Sequence, residues 1–214
     1  MTFCLLIVAK APVPGFAKTR LCPSATAEQA AGIAAASLLD TLDAALATPD
    51  ARVVVAMTGE LGEAARGKEI AAALRKAEVI PQRGEGFDMR LVNAHADAPR
   101  PGESVLQIGM DTPQVTPALL AQAASRTEDS VLGPAEDGGW WALGLKDPLH
   151  AKALAGVPMS RDDTGRQTLR ALTEAGLSPG HLPILSDVDT IADARRVAEV
   201  APHGRFARAV AEVR

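Results

Sequence analysis

The sequence is poor in the residues that staple or metallate small proteins: two cysteines and four histidines in 214 residues. Cys4 lies inside the first apolar run and Cys22 beyond a Gly/Pro loop, which gives neither a disulfide framework nor a zinc-ligand spacing and fits a reducing, cytoplasmic setting. His95, His150, His181 and His203 are scattered, form no HExxH pair, and read as surface or capping residues without a chemical role. Basic residues are also in short supply. Against 26 Asp and Glu stand 22 Lys and Arg, a net charge of −4, so no cationic surplus is available to neutralise nucleic-acid phosphates. The opening MTFCLLIVAK is apolar but too short for a bilayer, and it lacks the basic flank and cleavage site of a secretory signal, so no membrane partner is expected. Internal repeats, low-complexity tracts and long linkers are missing, and one domain over residues 1–214 is the expectation.

What is present is an ordinary globular composition, 47% hydrophobic and 22% charged, with enough apolar residues for a sizeable core. Short runs rich in Val, Ile and Leu recur at 3–9, 53–57, 78–81, 105–110, 131–132, 140–145 and 182–185 and predict strands. Ala-rich amphipathic stretches separate most of them, and the early runs are continuously apolar, as in a parallel sheet covered on both faces. The order is that of an open α/β fold. Thr26-Ala27-Glu28-Gln29 opens a helix to about residue 47 with a capping box. Thr116-Pro117 opens another, with proline at the first helical position, where its missing N–H is harmless. Further helices are expected at 60–75, 163–175 and 190–200, and residues 97–104 read as a tight surface loop.

Five stretches carry polar groups where ligands bind in such folds, beyond the carboxyl ends of strands. APVPGFAKTRL, residues 11–21, follows the opening strand and sets Gly15, Lys18 and Arg20 in a Pro/Gly turn, where backbone amides and two cations could meet a polyphosphate. It is neither a Walker A loop nor GxGxxG, and a surface loop with two solvated cations would read the same. In QIGMDTPQV, residues 107–115, Asp111 ends a strand and could ligate Mg²⁺ through oxygen, or merely form an Asx-turn before the Thr116 helix. In LSDVDT, Asp187 and Asp189 stand two apart, so in extended chain both face one side and could converge on a cation; capping of the next helix is the other reading. GPAEDGGWWALGL places Glu136, Asp137, Gly138 and Gly139 in a turn before a strand. There Asp137 could hold an acceptor hydroxyl or simply satisfy its own turn. Trp140 and Trp141 must point to opposite faces of that strand, one of them into the core. QRGEGFDMRL, residues 82–91, offers Gly84 and Arg90 to a base or phosphate, or is a plain connecting loop.

Taken in order, KAPVPGFAKTRL, GMDTP, GPAEDGGWWALGL and LSDVDT resemble the glycosyltransferase-like family related to 2-phospholactate guanylyltransferase, within the GT-A nucleotide-diphosphosugar transferase superfamily. The resemblance spans nearly the whole chain. It implies a Rossmann-like, open mixed and mostly parallel sheet with helices on both faces. It also implies a nucleotide over the first strand's loop, with Ala9, Lys10, Gly15, Lys18, Arg20, Gly84, Arg90 and Gly109 around it, and Mg²⁺ or Mn²⁺ on Asp111, Asp187 and Asp189. Glu136 to Gly139 would face the acceptor. GFDMRL departs from the family's usual Leu-Gly pair before the acidic-Arg step, and Trp140-Trp141 stand where tyrosines are common.

The chemistry expected is transfer from a nucleoside triphosphate to a small phosphorylated or carboxylate acceptor, with pyrophosphate leaving. The metal would neutralise charge, Lys18 and Arg20 would stabilise the leaving group, and no nucleophilic side chain would be needed. Glycosyl transfer from a nucleotide sugar, with Asp137 as base, is the near alternative, and a nucleotide-binding protein without catalysis is the distant one.

Overall fold

The computed structural model describes residues 2–213. Seven strands form one sheet: β1 (Phe3–Lys10), β2 (Ala51–Thr58), β3 (Glu78–Pro81), β4 (Val105–Ile108), β5 (Ser130–Pro134), β6 (Trp140–Leu145) and β7 (Gly180–His181). Their spatial order is β3-β2-β1-β4-β6-β5-β7, and β6 alone runs antiparallel to its neighbours. Seven of the eight β1 residues are buried, because helices cover the sheet on both sides and no face is left for alternating polar residues.

One face carries α1 (Ala27–Leu46), α2 (Gly67–Leu74) and α4 (Pro117–Ala124), packed on Leu5, Ile7, Val55, Leu106 and Ile108. The other face carries α3 (Phe87–Asp97) and α5 (Thr164–Glu174), packed on Cys4, Leu6, Val8, Val54 and Leu143. A third cluster joins the outer side of α1 to α6 (Ile191–Val200) and α7 (Arg205–Ala211) around Phe206.

The predicted caps are formed. Thr26 Oγ1 accepts from the Gln29 amide at 3.2 Å while Gln29 Oε1 accepts from the Thr26 amide at 2.9 Å. Thr116 caps α4 with Pro117 at its first position, and Thr190 with Asp193 forms a second capping box before α6.

Three expectations are corrected. The helix predicted over 60–75 is a 3-10 turn, Leu61–Glu63, followed by α2, because Arg66 takes a left-handed backbone and Gly67 packs where a Cβ would meet the Leu61 carbonyl at 2.1 Å. Strand pairing at the far edge of the sheet is at Gly180–His181 rather than over 182–185, with one further bridge between Ala135 and Leu185. His95 is not a surface residue: it lies fully buried inside α3, its Nε2 2.8 Å from Gln107 Oε1. Burial pushes its imidazole down to about 4, so it is neutral in the folded protein. No helix among the described residues is long and apolar enough to cross a membrane.

Candidate active site

A cleft of about 720 Å³ opens at the carboxyl ends of β1, β2 and β4. Ala9, Lys10 and Thr58 border it from the first two strands, Gly109 and Asp111 from the chain after β4, and Asp137 and Gly139 from the turn between β5 and β6. Arg20, Arg90, Arg161, Asp162, Asp187 and Asp189 add further charged side chains to the lining.

The loop after β1 turns at Gly15, with φ +78°, and again at Lys18, a non-glycine residue at φ 49°. That second turn starts a 3-10 turn, Thr19–Leu21, and directs the Lys18 side chain inward, where it is 11% exposed. Its Nζ lies 2.9 Å from Asp111 Oδ2 and 3.4 Å from Asp189 Oδ1. Arg20 Nη1 lies 2.8 Å from Asp189 Oδ2. Burial alone would lower the Lys18 pKa, but Asp111, Asp189 and Asp187 outweigh it, and the ammonium is held above its ordinary value.

The aspartates reach this point from separate segments. Gln114 Nε2, just beyond Asp111, donates to the Ser186 carbonyl, while Ser37 Oγ donates to the Met110 carbonyl at 2.6 Å. Those two bonds fasten the β4 exit to α1 and to the LSDVDT segment. The Leu185 amide bonds to the Pro134 carbonyl and the Glu136 amide to the Leu185 carbonyl, so the segment runs beside the end of β5. Val188 is 1% exposed and packs among α1, α6 and α7, which leaves Asp187 and Asp189 on the opposite, cleft-facing side.

An oxygen from each of Asp137, Asp187 and Asp189 falls within 4.8 Å of the others. This grouping differs from the Asp111, Asp187, Asp189 set expected from sequence. The segment after His181 follows β5 rather than β4, which brings Asp187 to the Asp137 turn, while Asp111 is engaged by Lys18. Burial first, then repulsion from Asp137 and Asp189, pushes the Asp187 carboxyl up to about 6, against a smaller opposing effect of Lys18. Three carboxylates so placed, all hard oxygen donors, fit a divalent cation such as Mg²⁺ or Mn²⁺.

Other expected residues have different surroundings. Glu136 turns outward to Arg196 Nη2 at 3.3 Å. Gly138, with φ +88°, lies against the Asp162 backbone, where a Cβ would meet the carbonyl oxygen at 1.8 Å. The Gly139 amide donates to Asp137 Oδ1 at 2.7 Å, so Asp137 stabilises its own turn as well as facing its two partners. Gly84, at φ +116°, closes the approach to α3 against Asn93.

Sequence reasoning passed over Gln82, Gln107, Thr112, the stretch from Met159 to Asp162, and Thr164, all of which border the cleft. A signal for two of them was available: Gln82 and Gln107 are lone glutamines at or within apolar runs. Gln82 Nε2 donates to the Ala9 and Ala56 carbonyls at 2.8 and 2.9 Å, tying the ends of β1 and β2. Trp141 is buried, its indole donating to the Pro183 carbonyl at 2.9 Å, whereas Trp140 is half-buried and donates to Thr168 Oγ1 at 3.1 Å.

The mixed sheet with its single reversed strand, and the cleft at its carboxyl edge, form a GT-A-like fold. A protein from Desulfovibrio desulfuricans G20, provisionally described as a nucleotide-diphospho-sugar transferase, is 24% identical and superposes with a TM-score of 0.84, covering 100% of this chain and 99% of that one. The chain itself belongs to the family described as "Uncharacterized protein conserved in bacteria (DUF2064)", whose model matches residues 41–161. CMP:2-keto-3-deoxy-manno-octonic acid synthetase complexed with CTP is 12% identical, with a TM-score of 0.58 over 94% of this chain and 99% of that one. Rv0371c of Mycobacterium tuberculosis H37Rv, in complex with manganese, is 20% identical, with a TM-score of 0.53 over 93% and 98%. No match was found among curated proteins.

Proposed function

We propose that the protein is a divalent-cation-dependent transferase acting on a nucleotide donor, and that its reaction is nucleotidyl transfer from a nucleoside triphosphate to a small oxyanionic acceptor. The observation that carries this reading is the meeting of Lys18 and Arg20 with Asp111, Asp137, Asp187 and Asp189 at one cleft beyond the parallel strand ends. A nucleophile or acid-base dyad is not required for such a reaction; positioning and charge stabilisation suffice.

Asp137, Asp187 and Asp189 are the residues that would hold the cation, with Asp111 nearby across Lys18. When bound, the cation would offset negative charge on the donor phosphates. Lys18 and Arg20, now paired to Asp111 and Asp189, would turn to the β- and γ-phosphates and stabilise departing pyrophosphate. Ala9, Lys10 and Gly109 form the backbone floor over which the nucleotide would lie, at the carboxyl edge where open α/β sheets bind ligands. An acceptor oxygen attacks the α-phosphorus, the bond to the bridging oxygen of pyrophosphate breaks, and the electron pair leaves with pyrophosphate.

A thermal-shift panel of nucleoside triphosphates and nucleotide sugars, with Mg²⁺ and with EDTA, followed by phosphorus NMR of the hits, tests the reading. A ligand at a hundred times its dissociation constant stabilises by about 2.7 kcal/mol, roughly 5 to 11 °C for a chain of this size. Pyrophosphate release supports nucleotidyl transfer. Release of nucleoside diphosphate from a nucleotide sugar would select glycosyl transfer instead, the reading favoured by the description of the D. desulfuricans relative. Binding without turnover would leave a nucleotide-binding protein.

A further inference from the structure

Two polar links cross the gap between the exit of β4, residues 109–116, and the segment at 185–190 that carries Asp187 and Asp189. One is ionic: Lys18 Nζ bridges Asp111 Oδ2 and Asp189 Oδ1 at 2.9 and 3.4 Å. The other is neutral: Gln114 Nε2 donates to the Ser186 carbonyl, and among the described residues it is the only direct hydrogen bond between the two segments. Nucleotidyl transfer would open the ionic link, because Lys18 turns to the donor phosphates. The neutral link lies outside the cleft lining and has no such second task.

Both ends of the neutral link are anchored. Gln114 sits in a turn closed by the Val115 amide on the Thr112 carbonyl at 3.1 Å, between buried Pro113 and Val115, with Thr116 capping α4 just beyond. On the far side, the Leu185 amide bonds to the Pro134 carbonyl at 3.2 Å and Val188 is buried, so the chain is pinned before Ser186 and after Asp187. The carbonyl that Gln114 grips belongs to the planar peptide unit joining Ser186 to Asp187. Holding its oxygen sets the plane from which the Asp187 side chain leaves the backbone.

Gln114 itself is an expensive choice for the position. Its amino group must face Ser186, because the amide oxygen there would meet a second acceptor. Oε1 is therefore turned the other way, where it is buried with no partner. A buried acceptor left unsatisfied is destabilising, and methionine would fill a similar volume without that cost. What glutamine supplies and methionine does not is the bond to Ser186.

We propose that Gln114 is a positioning residue for the cation centre: through the Ser186 carbonyl it holds Asp187 and Asp189 toward Asp137, and it keeps them there when Lys18 lets go of Asp111 and Asp189. This rests on the reading of Asp137, Asp187 and Asp189 as a cation site.

The test is a titration of Mn²⁺ into the full chain without nucleotide, the free ion being followed by electron paramagnetic resonance. Gln114→Met should raise the Mn²⁺ dissociation constant about tenfold or more, the loss usual when a group that orients a metal ligand is removed. Its thermal midpoint in EDTA should stay near the wild-type value, since the lost bond is offset by removal of the orphaned oxygen. Gln114→Asn keeps the amide but is one methylene short of Ser186; it should lose affinity likewise, and it decides the matter if the methionine variant does not fold. Ser37→Ala unties the same β4 exit from α1 instead, at the Met110 carbonyl, and should change the constant far less. In a Lys18→Ala background, where the ionic link is also gone, Gln114→Met should cost a larger factor than in the wild type. Wild-type Mn²⁺ affinity in a folded Gln114 variant, an equal loss in Ser37→Ala, or a cost no larger in the Lys18→Ala background overturns the proposal. If the wild type itself takes up no Mn²⁺, the cation site falls and Gln114's role with it; if the wild type binds and the Gln114 variants bind as well, that role alone falls.

Discussion

Lys18 Nζ lies 2.9 Å from Asp111 Oδ2 and 3.4 Å from Asp189 Oδ1, so one ammonium joins the exit of β4 to the segment before α6. Lys18→Ala therefore leaves carboxylates facing one another without their shared cation. Because Asp111 and Asp189 keep 40% and 27% exposure, water screens part of that loss, and about 1 to 2 kcal/mol of destabilisation is expected, below the range for fully buried pairs. The readout is the thermal midpoint, which should fall by roughly 2 to 8 °C. Lys18→Ala and Arg20→Ala should also weaken triphosphate binding more than nucleoside binding in calorimetric titrations; equal losses would argue against a phosphate loop.

Asp187→Asn and Asp189→Asn each remove a candidate cation oxygen while relieving repulsion at Asp187, whose carboxyl is pushed up to about 6 by burial and by Asp137 and Asp189. Asp187→Asn should match or exceed the wild type in stability with EDTA, whereas Asp189→Asn also gives up its pairs with Lys18 and Arg20; both should lose the Mg²⁺-dependent rise in thermal midpoint. Asp137→Asn should weaken Mg²⁺ at least about tenfold, equivalent to roughly 1.4 kcal/mol. Asp111→Ala should abolish Mg²⁺-dependent turnover with the fold retained, through loss of Lys18's anchor or of a ligand oxygen. Undiminished metal-dependent activity in that variant would remove Asp111 from the site.

His95 makes stability depend on pH. Its folded-state pKa, about 4, lies below the ordinary 6.5, so the unfolded chain takes up the proton first on acidification. The contribution is fully present above pH 6.5 and is lost as pH falls toward 4, about 3 kcal/mol in all. Urea denaturation at pH 7.5 and pH 5 should show about 2 kcal/mol of this loss in the wild type and a flatter profile in His95→Asn. An identical pH slope in both would exclude His95 as its source.

Gly138→Ala should be among the more damaging small substitutions. The residue has φ +88°, and a Cβ there would overlap the Asp162 carbonyl, so the turn carrying Asp137 and the segment carrying Arg161 must part. A loss of about 1 to 3 kcal/mol is expected from such backbone strain. Circular dichroism melting and donor binding together test it: a stable variant with unaltered donor affinity would contradict the packing account.

Much of this was legible beforehand. Continuous apolarity in 3–9 marked a doubly covered strand, and the Thr26, Thr116 and Thr190 caps marked helix starts, since both signals are local. The i, i+2 spacing of Asp187 and Asp189 likewise placed them on one side, because Val188 between them is drawn into the core. What local signals do not carry is which strand a distant segment lies beside. The run after His181 follows β5, and that long-range pairing brings Asp187 to Asp137 while Asp111 meets Lys18. His95 escaped for the same reason: its reason for being buried is Gln107, on a different element. The start of α3 at Phe87 was hidden by the glycines before it, Gly84 and Gly86, which read as loop.

Electron paramagnetic resonance of Mn²⁺ titrated into the protein tests the central claim most directly, because it needs neither donor nor acceptor. The account predicts that the wild type depletes the free-ion signal with one site per chain and that an Asp187→Asn, Asp189→Asn double variant, folded by circular dichroism, does not. Equal depletion by both proteins, or none by the wild type, would contradict it.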